Sequence, residues 1–370
     1  MTMTMPVSYA GTDLQAQVRG RIGVLTLNRP GALNALTLAM VRDLCAWLLH
    51  WQHDDAVVAV VLRGSTLEGR PRAFCAGGDV RFMRQAALQG DPRLEDFFNE
   101  EYTLDHLVHT YGKPCIALMD GVCMGGGMGL SQGAALRVVT EHSRVAMPET
   151  TIGLFPDVGG GWFLSRCPGH LGEYLALTGQ VLTAASAIAA GLADVILPSY
   201  RLPALLEALT DQPIENGSQA VAVVRACAVV PPEAALEVQS DFIDRHFSAP
   251  TLQAIADSLA QEATPLAAET LATLRKRSPL MMAVTLEQVR RARHMSLADD
   301  LRMERGLMRQ AFHLRPPVQS EVVEGIRALA VDKDNAPRWN PARIEDVTPG
   351  QVAAFFESPW PAARHPLRDL

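Results

Sequence analysis

The chain has 370 residues, of which 48% are apolar and 20% charged. That composition belongs to globular proteins and excludes a disordered or fibrous chain, and the length suits one large unit with a smaller one appended. Lys and Arg number 33 against 40 Asp and Glu, a formal charge of −7, which argues against a general nucleic-acid binder because phosphate neutralisation needs a basic surface.

Residues 15–18 and 22–27 alternate around 19–21 and predict a hairpin. Within 37–50, Leu38, Val41, Leu44, Cys45 and Leu48 recur at spacings of three and four, an amphipathic helix capped by Thr37. Residues 57–62 are a continuous apolar, β-branched run and read as a buried strand. The loop Phe74-Cys75-Ala76-Gly77-Gly78-Asp79 follows, then a helical pattern with Phe82, Met83 and Ala86. The same order returns as a strand at 114–119, a glycine-rich loop at 120–127 and a helix at 128–135. A strand, a glycine loop and a helix used twice predict a layered α/β architecture with two similar loop-to-helix junctions. Beyond Pro198 the strand signals fade, and 202–209, 220–229, 252–259, 265–274 and 286–311 read as helices, with connections at 211–218 and 313–320. The expected division is an α/β catalytic core at 1–200, a helical region at 201–345 and a tail at 346–370.

The six cysteines, Cys45, Cys75, Cys115, Cys123, Cys167 and Cys227, form no CxxC pair and read as reduced, mostly buried thiols. No apolar run approaches the roughly 18 residues of a membrane span, and residues 1–20 lack the features of a secretion signal. A cytoplasmic protein with no membrane partner is the expectation.

Glycines at Gly77-Gly78 and Gly125-Gly126-Gly127 let backbone approach a ligand, and each loop opens a helix whose first N–H groups have no helical partner. Facing one pocket, two such junctions make an oxyanion hole. Tight turns and close packing are the plainer use of the same glycines, and spacing alone leans that way. Neither loop fits GxGxxG, and no GxxxxGK[ST] occurs, so the nucleotide-binding fingerprints are absent. Glu149 follows Met147-Pro148, and Asp157 follows Phe155-Pro156 ahead of Gly159-Gly160-Gly161. Two acids in glycine-rich, apolar surroundings suit a base, nucleophile or acid. Solvent-facing acids that cap turns fit the same pattern, and residue types alone favour them. Glu100-Glu101 lies on a helical stretch and reads as a solvated face. Gly129-Leu130-Ser131-Gln132-Gly133 matches G-x-S-x-G, but the turn glycines precede Ser131 and put it inside the helix, which argues against a serine nucleophile. No HExxH, paired Cys/His spacing or clustered Asp motif appears, so no metal is expected.

Asn28-Arg29-Pro30 with Ala32-Leu33-Asn34-Ala35-Leu36, the loop from Phe74 to Asp79, the glycines of 121–127 and Met147-Pro148-Glu149 together resemble the crotonase (enoyl-CoA hydratase/isomerase) superfamily. The run 147–161 and Leu175-Ala176-Leu177-Thr178-Gly179 resemble its 3-hydroxyisobutyryl-CoA hydrolase branch. Glu324-Gly325-Ile326-Arg327-Ala328, with Asp332-Lys333-Asp334 and Arg338-Trp339, is similar to that branch's C-terminal signature. The likeness extends over about residues 14–345. It implies a spiral of ββα units followed by a C-terminal helical region. It also implies a coenzyme A thioester substrate, with CoA arriving as part of that substrate and no separate cofactor. By position, the backbone N–H groups of Gly78 and Gly126 would hold the thioester oxygen. Arg29, Ala32, Ala76 and Arg81 would lie along the CoA moiety, and Glu101 would contact substrate. Gly31 stands where many relatives carry a lysine. Hydratases of the superfamily use two glutamates, one at the position of Glu149 and one where this chain has Gly129. The hydrolase branch resembles this chain in having Glu149 and Asp157. The resemblance therefore implies hydrolysis of a short-chain acyl-CoA, foremost 3-hydroxyisobutyryl-CoA of valine breakdown. Glu149 would attack the carbonyl or activate water, and Asp157 would orient the attacking group, bind the substrate hydroxyl or assist proton transfer. Hydration or isomerisation of another acyl-CoA and a non-catalytic CoA-thioester binder are the competing readings. Relatives form trimers, hexamers or smaller assemblies, so a homo-oligomer is in keeping with the family.

Overall fold

The two alternating segments near the start pair as the antiparallel hairpin β1 (Leu14–Arg19) and β2 (Ile22–Leu27). The remaining strands are β3 (Ala59–Gly64), β4 (Ala73–Cys75), β5 (Cys115–Met119), β6 (Val122–Met124), β7 (Leu136–Val139), β8 (Arg144–Ala146) and β9 (Val195–Ile196). These elements come from a computed structural model that describes residues 6–234, 239–314 and 320–370. One sheet has the order β1-β2-β3-β5-β7-β9 and a smaller one the order β4-β6-β8. From β2 onward the pairing in the larger sheet is parallel. Parallel strands are covered on both faces, which is why β5 is a buried, uninterrupted apolar run.

The chain thus sends one strand to the large sheet and the next to the small one, then a helical segment. Val80–Gln89 and Arg93–His109 follow β3 and β4, Gly126–Gln132 follows β5 and β6, and the 3-10 turn Glu149–Ile152 follows β7 and β8. This is the repeated ββα order the resemblance implies. The strand expected at 57–62 pairs from Ala59 instead, although Val57 is also buried. The glycine loop at 120–127 contains β6, whose three residues are too few to give an alternation signal. The helix expected at 128–135 starts at Gly126 and ends at Gln132.

The chain forms two compact units, each drawn from three stretches. Unit one consists of Met1–Gly78, Glu100–Val145 and Leu182–Ala235. Its core joins Val24, Val61, Ile116 and Val138 of the large sheet to Leu205, Leu209 and Val224. The last three lie on the helices Leu202–Asp211 and Gly217–Ala226, so the boundary expected near residue 200 falls inside this unit. The helix Leu38–Gln52 begins where expected, with the Thr37 hydroxyl accepting from the Met40 N–H at 3.2 Å. A Cβ on Gly23 would come within 2.5 Å of the Trp51 ring, so glycine is what admits that buried indole against β2.

Unit two consists of Asp79–Asn99, Ala146–Val181 and Leu236–Leu370. Helices Leu252–Gln261 and Pro265–Leu274 occupy the expected places. The single helix expected at 286–311 is two, Pro279–Ala292 and Leu297–Ala311. Ser296 sets the break, because its side chain caps the second helix by accepting from the Asp299 N–H at 3.1 Å. Helices Ser240–Phe247 and Pro349–Phe355 carry no signal that the sequence reading used. Most of the connection expected at 313–320 lies outside the described residues.

One side chain of unit one fixes the segment 29–36. Asn34 is fully buried in a left-handed conformation at φ 57°. Its Oδ1 accepts from the Arg29 N–H at 2.9 Å, and its Nδ2 donates to Ser65 O at 3.0 Å and Ala73 O at 2.8 Å. Asn34→Ala removes all three bonds and leaves alanine in an unfavourable backbone region, an expected loss of about 2–4 kcal/mol. Asn34→Gly spares the backbone strain and is expected to lose about 1 kcal/mol less. Urea unfolding midpoints of the two variants measure both effects.

Candidate active site

The first set of candidate residues grows out of strand pairing in unit one. β4 and β6 are parallel neighbours, with Ala73 beside Val122 and Cys75 beside Cys123. The loops that leave them therefore start at the same end of adjacent strands. Gly77 at φ 103° and Gly125 at φ 52° turn the chain, and Gly78 and Gly126 follow. A Cβ built on Gly126 would lie 3.5 Å from Gly78 N and 2.5 Å from Glu101 Oε1. One built on Gly77 would lie 3.5 Å from Gly126 N. The two amides and the Glu101 carboxyl are thus grouped about one spot that only glycine leaves open. Neither amide donates to the backbone of another described residue, which is the condition for an anion-binding pair of donors.

Glu101 is only 2% exposed, which corrects its reading as part of a solvated face. Its neighbour Glu100 pairs with Arg42 through bonds of 2.8 and 2.7 Å. The segment Leu33 to Leu36 is tied to the first glycine loop by Ala76 N to Leu33 O at 3.0 Å and Leu36 N to Gly77 O at 2.8 Å. Arg29 donates from Nη1 to Ala35 O at 2.6 Å, while Ala32 is exposed and Ala76 half-buried. Arg81 belongs to unit two, exposed on the helix Val80–Gln89. Ser131 is buried inside the helix Gly126–Gln132, as expected, with its hydroxyl on Met128 O at 3.1 Å. Gly129, on the same helix, is buried and offers no carboxyl. Burial pushes the Cys123 thiol up to about 12, so it is no nucleophile at neutral pH.

The acid pair lies in unit two. Glu149 opens the 3-10 turn Glu149–Ile152, which closes through Leu154 N to Glu149 O at 3.0 Å and through Gly153 at φ 71°. The helix Glu321–Ile326 lies directly on this turn. A Cβ on Gly325 would come 2.1 Å from Ile152 O, and one on Gly153 would come 2.4 Å from Glu321 O. The C-terminal signature is therefore a buttress. Arg327 is held by Glu324, Asp332 and Asp334 at 2.7, 2.8 and 2.6 Å, and Glu321 accepts from the Asn340 N–H at 2.9 Å. The run 175–179 supports the turn as well, through Thr150 Oγ1 to Leu177 O at 3.2 Å.

Glu149 and Asp157 are 6% and 7% exposed, which overturns their reading as solvent-facing loop acids. Burial raises the Glu149 carboxyl well above the usual carboxylate range, and the Asp157 charge raises it further. Glu149 Oε2 accepts no hydrogen bond among the described residues. A carboxyl that keeps its proton above the ordinary glutamate range beside a second acid is equipped for proton transfer or nucleophilic attack.

Three residues of this neighbourhood escaped the sequence reading. Glu304 accepts from Gly159 N–H at 2.7 Å and Gly161 N–H at 2.9 Å, Asp300 accepts from Trp162 N–H at 2.7 Å, and Gln288 donates to Pro156 O at 2.6 Å. All three side chains are fully buried. Burial raises Asp300 to about 7 and, together with the Asp300 charge, raises Glu304 well above its ordinary value. The signal was available, since Glu304 shares the apolar face of its helix with Leu297, Leu301, Met308 and Ala311, where an acid is out of place.

Paired ββα strands ending in glycine junctions define a crotonase-type α/β protein. The chain belongs to the enoyl-CoA hydratase/isomerase family, whose sequence profile matches residues 22–356. The mitochondrial 3-hydroxyisobutyryl-CoA hydrolase of Gallus gallus is 38% identical over 353 residues, 94% of this chain and 89% of that protein. The probable 3-hydroxyisobutyryl-CoA hydrolase 3 of Arabidopsis thaliana is 38% identical over 354 residues, 94% and 92% of the two chains. Among solved structures, a carnitinyl-CoA dehydratase from Mycobacterium thermoresistibile matches with a TM-score of 0.87 at 36% identity, covering 96% of this chain and 99% of its own. An enoyl-CoA hydratase from Rhodobacter sphaeroides 2.4.1 matches at 0.84 and 39%, covering 94% and 98%. The names thus divide between hydrolase and hydratase or dehydratase at equal identity, so the site acids must separate them. The mitochondrial location is a property of the named relatives. Among the described residues no helix is long and apolar enough to cross a membrane.

Two predictions follow from this geometry. Gly126→Ala places a methyl against the buried Glu101 carboxyl, 2.5 Å from Oε1, and is expected to cost about 1–3 kcal/mol in denaturant unfolding. The second concerns pH. The folded-state pKa of Glu149 is raised, so between the ordinary glutamate value and that raised value the native state binds more protons than the unfolded one. Stability therefore falls as pH rises through that window. Glu149→Gln removes this penalty. It should melt above wild type at neutral pH, and the difference should vanish near pH ~4; melting curves across that range measure it.

Proposed function

We propose that the chain is a short-chain acyl-CoA thioester hydrolase that converts 3-hydroxyisobutyryl-CoA to 3-hydroxyisobutyrate and CoA, a step of valine breakdown. The observation that carries this reading is the buried Glu149 and Asp157 pair in a chain with Gly129 where hydratases have their second glutamate. Relatives at about 38% identity over nearly the whole chain bear that hydrolase name, which supports it.

In this scheme the N–H groups of Gly78 and Gly126 stabilise the thioester oxygen as it gains charge. With one proton shared by the acid pair, its residence on Asp157 leaves Glu149 ionised. Glu149 then attacks the carbonyl to give an anhydride, which a water afterwards cleaves to the free acid and the Glu149 carboxylate with its proton returned to the acid pair, or Glu149 takes a proton from the water that attacks the thioester directly. The C–S bond breaks, and the departing thiolate receives a proton by way of Asp157. Glu101 contacts the acyl group, and Arg29, Ala32, Ala76 and Arg81 line the CoA moiety. CoA belongs to the substrate, and the scheme needs no organic cofactor or metal. Assembly as a homo-oligomer is part of the proposal. So is a cytoplasmic setting, which suits six free cysteines.

Hydration of an enoyl-CoA is the second reading, the reaction for which the similar protein of Rhodobacter sphaeroides 2.4.1 is named. It lacks its second carboxyl at Gly129.

Free-thiol release from 3-hydroxyisobutyryl-CoA, assayed beside crotonyl-CoA hydration, separates the readings. Wild type should release thiol without hydrating crotonyl-CoA, and Glu149→Ala should lower release ~10²–10⁴-fold while still binding the thioester. Hydration without thiol release would replace this reading with the second, and binding alone would leave a non-catalytic CoA-thioester binder. Single turnover in ¹⁸O-water distinguishes the two paths, since label enters Glu149 only through the anhydride.

A further inference from the structure

Asp157 occupies backbone that does not hold itself. The next residue, Val158, has φ 54°, and Gly159 follows at φ 83°. A left-handed conformation costs a β-branched residue about 1–3 kcal/mol, so it persists only where the surroundings enforce it. Two helices do so. From Pro279–Ala292, Gln288 Nε2 donates to Pro156 O at 2.6 Å. From Leu297–Ala311, Glu304 takes Gly159 N–H on Oε2 at 2.7 Å and Gly161 N–H on Oε1 at 2.9 Å. Gln288 Nε2 also reaches Glu304 Oε1 at 2.9 Å, joining the two grips. The backbone groups held, on residues 156, 159 and 161, bracket Asp157.

Stability alone does not call for this arrangement. Neither Glu304 nor Gln288 is exposed, and no Lys or Arg pairs with Glu304 among the described residues. A buried acid without a cation is costly, and an apolar residue of similar size would fill the space more cheaply. An apolar residue would, however, leave two amides without acceptors and release the strained turn.

We propose that Glu304, seconded by Gln288, is a positioning residue for the thioester hydrolysis: through the backbone of residues 156–161 it fixes Asp157 beside Glu149, and it makes or breaks no bond itself. The inference rests on the hydrolase reading for its activity test. The groups facing Glu304 are Asp300, one helical turn earlier on the same helix, and Asp157. Asp300 in turn faces Arg166.

Glu304→Gln in the full chain tests the proposal. Glutamine keeps the shape but turns an NH₂ toward at least one of the donors that Glu304 accepts, whichever way its amide is set. The expected result is a fall in kcat of ~10–100-fold with KM changed less than about threefold. Glu304→Asp, which keeps both acceptor oxygens, should recover part of the loss. The Glu149 carboxyl, titrated by ¹³C NMR, should move down toward the ordinary glutamate range as Asp157 leaves it. A lower melting temperature, with kcat of the folded enzyme and the Glu149 titration both unchanged, would reduce Glu304 to a structural residue and overturn the proposal. Should Glu304→Gln fail to fold, Gln288→Leu removes the Pro156 bond and is read in the same two ways. If wild type releases no thiol, the hydrolase reading fails on its own. The Glu149 titration then decides: a downward shift in the variant upholds the grip on Asp157, and an unchanged titration rejects it.

Discussion

Holding two carboxyl groups together out of water is the constraint around which unit two is built. Each resists desolvation, and the charge of one resists ionisation of the other, which is why Glu149 keeps its proton above the usual range. The surrounding elements offset that cost by fixing the backbone on either side. The turn that begins at Glu149 is closed at Gly153 and backed by the helix Glu321–Ile326, whose Gly325 lies against Ile152. The loop that carries Asp157 is held at Gly159 and Gly161 by Glu304. The C-terminal signature thereby acquires a physical meaning, since its glycine and its ion cluster around Arg327 serve the placement of an acid far away in the chain.

Unit one solves a different problem, the presentation of backbone amides. Two parallel strands of the small sheet end side by side, and glycine at each exit brings the next amides to one spot. Paired amides at one spot suit an oxygen that gains negative charge, whatever follows, and one fold is compatible with several chemistries of that kind. The division of names among the similar proteins reflects that. In this chain Gly129 is a buried glycine and Asp157 a buried acid, the two positions on which the proposed hydrolase reading turns.

The sequence made local structure legible wherever pattern and length agreed. The hairpin, the Thr37-capped helix, β5 and the helix Pro265–Leu274 needed only alternation, capping or a run of apolar residues. It failed where the signal was shorter than a period, as in β6, or where one continuous pattern hid a cap, as at Ser296. The candidate residues became legible through motif resemblance. Residue types alone put Glu149, Asp157 and Glu101 in solvent, because burial of an acid depends on partners distant in sequence. Glu304 was visible as an acid in an apolar stripe, but its target, two amides of another loop, was not.

The separation between that carboxylate and its target has a bearing on how the protein comes into being. Gly159 and Glu304 stand 145 positions apart, and at about 5–20 residues per second a ribosome takes about 7–30 s to travel that distance. Through this interval the nascent chain carries both acids but not the acceptor that shapes their loop. Unit one, by contrast, has its last segment by Ala235. A chain released before the helix Leu297–Ala311 is made would have its amide junctions and a loose, solvated acid segment. Translation order therefore delays the finished acid loop until most of the polypeptide exists.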